Sequence, residues 1–214
     1  MSAAGAVPAA TLLAAYLLGS VSGALVIGRL RGGVDIRTLG SGNAGGTNAL
    51  RTQGPWFALG VVAIDLGKGW FAAAVLPGLA QRLGFASMAL PAACAFAAML
   101  GHVWPAWHGF RGGKGAATLA GALLALSPAA LAVVLGVWLS MAVIFGFVGL
   151  ASIVATVALP IAVWIGRITP PAPMLAFGIA AAALVLYTHR GNLARMRAGT
   201  EPRARRLWLL GRGR

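Results

Sequence analysis

Three short segments of this 214-residue chain combine glycine with hydrogen-bonding and cationic side chains. The first runs Gly40-Ser41-Gly42-Asn43-Ala44-Gly45-Gly46-Thr47-Asn48 and ends on Arg51. The second opens as Gly101-His102-Val103-Trp104-Pro105 and continues as Phe110-Arg111-Gly112-Gly113-Lys114-Gly115. The third is His189-Arg190-Gly191-Asn192, followed by Gly199-Thr200-Glu201. Glycines expose backbone N–H groups, and beside Arg and Lys they are the materials of an anion cradle. Attraction to lipid headgroups accounts for the arginines of the far tail, 203–214. It does not account for Ser, Asn and Thr interleaved with glycine.

Composition narrows the chemistry. Asp35, Asp65 and Glu201 are the only carboxylate side chains, so a metal site built from clustered acids is nearly excluded, and neither metal nor cofactor is expected. No Asp or Glu follows His102, His108 or His189 within a turn, which removes a local acid–base dyad. His102 therefore reads as a hydrogen-bonding structural residue, and His189 as the one serious candidate base. Gly40 to Gly45 spells G-x-G-x-x-G, but no strand or βαβ unit accompanies it. Gly113-Lys114 lacks the distal Gly and the Ser/Thr of a phosphate-binding P-loop. What remains suits phosphate binding and an already activated substrate that needs positioning and charge neutralisation.

The elements that must carry these segments are membrane helices. The chain is 59% hydrophobic and only 9% charged, yet its net charge is +14. A nucleic-acid binder would spread its cations among other polar residues; here they punctuate apolar stretches long enough to cross a bilayer. The pattern predicts an all-α integral membrane bundle, one domain over 1–214. Spans are expected at Pro8–Gly28, Trp56–Leu76 and Met88–Trp107. Further helical pieces lie between Ala116 and Thr188, divided at Ser127-Pro128, at Gly146 to Gly149 and at Gly166-Arg167. Fourteen cations fall on one side and two on the other, which predicts an outside amino terminus and an inside carboxyl terminus. The span number is then odd. Seven fits the breaks; five is the alternative, because Ala116–Leu126 is too short to cross alone. Asp65 and Lys68, three apart on one helix face, are either a structural ion pair or a device that presents Lys68 to a bound anion.

All three polar segments resemble, in order and spacing, the signature motifs of the bacterial acyl-phosphate-dependent glycerol-3-phosphate acyltransferases, the PlsY family. The likeness covers nearly the whole chain and includes Asp65-x-x-Lys68-Gly69. It implies a multi-pass enzyme of the bacterial inner membrane with a cytoplasmic site. Such an enzyme moves a fatty acyl group from acyl phosphate to the 1-hydroxyl of sn-glycerol 3-phosphate, the first acylation of phospholipid synthesis. Membrane lipids would surround it, and a soluble enzyme would supply the acyl phosphate; nucleic acid has no part. By the same resemblance Ser41, Gly42, Asn43, Thr47, Asn48 and Arg51 bind glycerol phosphate, and Lys114 with Gly112, Gly113 and Gly115 holds phosphate. His189 and Asn192 belong to the third motif, and Ser152 matches a serine near the family's site. The chain departs from the pattern at Gly46, usually Ala, and at Gly149, usually Ser. A small membrane transporter or channel for an anionic solute is the competing class.

Overall fold

The computed structural model describes residues 3–166, 168, 171–204, 207 and 208. They form two compact units, Met1–Leu126 and Ser127–Arg214. No strand occurs among the described residues. The first unit contains α1 (Ala3–Gly19), α2 (Gly23–Leu30), α3 (Gly46–Gln53), α4 (Pro55–Ala74), α5 (Leu76–Arg82), α6 (Leu90–Val103) and α7 (Ala116–Leu126). Short 3-10 turns lie at Ile36–Thr38 and Ala106–His108. The second unit contains α8 (Pro128–Phe145), α9 (Val148–Trp164), α10 (Pro171–Thr188) and α11 (Arg190–Arg197).

Sequence punctuation explains most boundaries. Pro55 and Pro128 open their helices, where the missing N–H is no loss. The Ser127 hydroxyl accepts from Ala130 N at 3.2 Å as an N-cap. Gly146 closes α8 in the left-handed region at φ 75°. Pro77, just past the expected end of the second span at Leu76, sits in the first turn of α5, and the helical path continues to Arg82.

The expected first span is also not one helix. It breaks at Ser20–Ser22, and its halves meet at 46°. A second bend, of 51°, separates α10 from α11 at His189. Among the described residues, Pro55–Arg82 and Pro128–Phe145 are long and apolar enough to cross a membrane, and the two bent pairs qualify if each counts as one span. α7 and α9 are apolar but shorter.

Small residues bring the helices of the first unit together. A Cβ on Gly69 of α4 would overlap the Thr118 carbonyl oxygen of α7, and one on Gly121 of α7 would overlap that of Leu66. Gly19 of α1 and Gly101 of α6 stand in the same relation to Ala98 and Tyr16. Apolar side chains gain nothing by leaving lipid for protein, so close backbone contact supplies the packing energy instead. Gly121→Val should cost about 1–3 kcal/mol by overpacking. Thermal unfolding in detergent should show that loss, and Gly136→Val, at a glycine with open space around it, should leave the midpoint unchanged.

Candidate functional site

The first polar segment is built around one buried amide. Asn48, in the opening turns of α3, donates from Nδ2 to the carbonyls of Ile36 at 2.9 Å and Leu39 at 3.0 Å. Its Oδ1 accepts from the backbone N–H of Ser41 at 3.0 Å. Both amide protons of Asn48 are thus spent on the loop's own backbone. Ser41, Gly42 and Thr47 are exposed, Asn43 is half-buried, and Arg51 is exposed one turn along α3.

The second segment folds back onto the end of α6. Gly112 N donates to Val103 O at 3.1 Å and Gly113 N to His102 O at 3.0 Å. Two N–H groups of the glycine loop are therefore used internally. Gly115 takes φ +90°, which only glycine adopts cheaply, and α7 starts immediately after it. The opening N–H groups of a helix lack intrahelical acceptors and attract anions. Gly113 also packs against the first segment, since a Cβ there would lie 3.0 Å from Ala44 O. The N-terminal turns of α3 and α7, with Lys114, thus belong to loops in direct contact.

Arg37 locks that contact. It pairs with Asp35 through Nη2–Oδ2 at 2.7 Å and Nε–Oδ1 at 3.0 Å. Its Nη1 reaches across to the carbonyls of His108 at 2.8 Å and Arg111 at 3.2 Å. The Arg37 side chain's hydrogen bond holds the Asp35 carboxyl below its ordinary value. Burial, then the nearby charges of Arg37 and Arg29, push His108 below an ordinary imidazole. Neither Asp35 nor Arg37 stood out in the sequence; Asp35-x-Arg37, with Asp35 capping the 3-10 turn, is the signal that marks them.

Asp65 and Lys68 lie beneath the loops. Their side chains are 1% and 3% exposed and paired at 2.9 Å. Lys68 Nζ also donates to Val21 O at 2.7 Å, and Asp65 Oδ1 accepts from Gly23 N at 3.1 Å. These bonds give the ammonium a structural place. His102 Nδ1 stands 3.4 Å from the same Oδ1. That is close enough for electrostatic attraction but off the line of a hydrogen bond, and the buried nitrogen has no hydrogen-bond partner. Among the described residues, no three of His, Cys, Asp and Glu group as metal ligands.

The second unit holds the third segment. His189 Nδ1 donates to Val185 O at 2.8 Å, which fixes the ring against the last turn of α10. Asn192 Nδ2 donates to Glu201 Oε1 at 2.6 Å, and Arg195 Nε to Oε2 at 2.7 Å. Glu201 thus fixes the Asn192 amide. A Cβ on Gly149 would come 2.8 Å from the Asn192 side chain, a physical reason for glycine at that position. The Ser152 hydroxyl is buried, donating to Val148 O at 2.9 Å and accepting from Trp138 Nε1 at 3.2 Å.

The family profile described as "Glycerol-3-phosphate acyltransferase" matches residues 9–199. A glycerol-3-phosphate acyltransferase of Neisseria meningitidis serogroup B is 40% identical over 186 residues, covering 87% of this chain and 92% of that protein. One from Chlorobaculum tepidum is 37% identical over 220 residues, covering 91% and 95%. The fold matches a crystal structure of PlsY, an integral membrane glycerol 3-phosphate acyltransferase, in its glycerol 3-phosphate form. The TM-score is 0.81 at 34% identity, covering 92% of this chain and 94% of that one. The lysophosphatidic acid form of PlsY matches with the same TM-score and identity.

Two outcomes test the geometry of the loops. Asn48→Ala removes three hydrogen bonds, each worth about 0.5–1.5 kcal/mol net, and should speed hydrogen exchange at the Ser41 amide by at least roughly tenfold. Acidification tests the Arg37 clamp. Because the folded Asp35 has a lowered pKa, its stabilisation is complete above the ordinary carboxylate value of 3.8. It is lost as pH falls through the still lower folded value. Protection of residues 108–111 should therefore persist to about pH 4 and fail below it.

Proposed function

The chain belongs to the glycerol-3-phosphate acyltransferase family, and from that premise we propose that acyl phosphate is its donor. The 1-hydroxyl of sn-glycerol 3-phosphate attacks the acyl carbonyl, the acyl–phosphate bond breaks, and 1-acyl-sn-glycerol 3-phosphate and phosphate leave. The hydroxyl proton passes to the departing phosphate, so the step balances without a covalent enzyme intermediate. A mixed anhydride already carries a good leaving group, and the protein's task is to hold two mutually repelling anions together.

The contact between the two loops of the first unit, at Gly113 and Ala44, carries this reading. It places Lys114 and the start of α7 beside the segment that bears Ser41, Asn43, Thr47 and Arg51. We assign these groups to the phosphates, with Gly42, Gly112, Gly113 and Gly115 shaping the loops. Asn48 supports the loop from beneath, and Lys68 acts through its ion pair. His189 and Asn192 take the roles of the family's third motif in substrate binding, with His189 the one candidate protein base; Ser152 supports that unit's packing. The whole chain acts as one acyltransferase domain.

The cation distribution supports a periplasmic amino terminus, a cytoplasmic carboxyl terminus and an odd number of spans in the bacterial inner membrane, of which seven fits the breaks in the sequence, with the chemistry on the cytoplasmic side. A soluble enzyme would then deliver acyl phosphate from that side.

Purified protein given acyl phosphate should release phosphate quickly only when glycerol 3-phosphate is added. Acceptor-independent release, or none in a folded protein, would overturn the reading. Lys114→Ala should lower turnover by roughly 10²–10³, the usual cost of removing one transition-state charge donor. Lys114→Arg should recover part of it.

A further inference from the structure

His102 is not itself among the residues assigned to substrate, yet it borders the glycine loop on two sides. Its carbonyl accepts from Gly113 N, and the next carbonyl, of Val103, accepts from Gly112 N. Its ring lies directly over Gly113, where any Cβ would overlap Nε2. The other ring nitrogen faces Asp65 Oδ1 at 3.4 Å. Lys68 at 2.9 Å and Gly23 N at 3.1 Å already hold that oxygen. The carboxylate is therefore a fixed reference, and the imidazole is the part that can adjust to it. Its orientation follows: Nδ1 toward Asp65, Nε2 toward the loop.

We infer that His102, oriented by Asp65, is a positioning residue for acyl transfer: its ring sets the path of residues 112–115 and hence the placement of Lys114 and the start of α7. Space filling alone does not require this residue type. An apolar side chain would cover Gly113 without burying a nitrogen that lacks a hydrogen-bond partner. The nitrogen earns its place if its attraction to the carboxylate fixes the ring angle. Asp65 then serves two structures at once, the helix break at Gly23 and, through His102, the phosphate loop. An acid–base pair of this kind spans two helices, α4 and α6, and is invisible to a search for acids near histidine in sequence.

The inference rests on the acyltransferase reading only for its kinetic readout, so the test pairs kinetics with hydrogen exchange on the full-length protein. His102→Ala should speed exchange at the Gly112 and Gly113 amides and raise KM for glycerol 3-phosphate about tenfold. The thermal midpoint and the protection of α8 and α9 should stay at wild-type values. His102→Asn, whose amide can donate to Asp65 Oδ1, should recover KM to within about threefold. Unchanged exchange and KM in H102A would overturn the inference. So would equal impairment of H102A and H102N with a lowered midpoint, which marks a role in folding alone. If H102A does not fold, Gly113→Ala decides. Its methyl meets the ring, so it should cost more activity in the native background than in H102N, and equal cost in both overturns the inference. Should the wild-type protein show no turnover, the functional reading fails while exchange at residues 112 and 113 still decides this one.

Discussion

A carboxylate and an ammonium buried together lose several kcal/mol each on leaving water and persist only where every strong hydrogen-bonding group is met. Asp65 and Lys68 meet that demand with a broken helix. Between α1 and α2 the chain leaves helical geometry for Ser20–Ser22. Val21 O becomes the acceptor for Lys68, and Gly23 N becomes a donor to Asp65. In an unbroken helix both backbone groups would be spent within it. The ion pair needs the break, and the break, in a low-dielectric setting, needs the ion pair. Signs also agree: the carboxylate sits at the start of α2 and the ammonium at the carbonyl-rich end of α1.

From that point the first unit's polar architecture can be followed outward. The bend turns α2 toward the segment of residues 31–45, where Asp35 and Arg37 tie the first loop to the carbonyls of the second. Asn48 holds the first loop from inside, and His102 borders the second. The scarcity of acids matters here. Asp35 and Asp65 are both committed to cations, and Glu201 to Asn192 and Arg195. All three carboxylate side chains are thus engaged by neighbouring groups. A site of this kind works by charge neutralisation and placement, which suits a donor whose leaving group is already activated.

Much of this was legible in the sequence because it is written in local signals. Ser127-Pro128 and Gly146 marked helix boundaries, and Ala116–Leu126 is the helix α7 that the breaks delimited. The three polar segments were visible as departures from an apolar background. What stayed hidden depends on contacts between distant residues. The break at Ser20–Ser22 has no proline or charge to announce it, since Lys68 and Asp65, which require it, lie more than forty positions away. The glycine loop looked like a run of available N–H donors; Gly112 and Gly113 instead donate to the end of α6. Asn48 is assigned to glycerol phosphate by resemblance, and only the fold shows both of its amide protons committed to loop carbonyls.

Direct transfer between two substrates held at once is the central claim, and the initial-rate pattern tests it most directly. Acyl phosphate would be varied at several fixed concentrations of glycerol 3-phosphate, with phosphate release followed in each series. Direct attack requires both substrates bound together and predicts double-reciprocal lines that intersect. Parallel lines, the mark of a covalent acyl-enzyme formed before the acceptor binds, would contradict it.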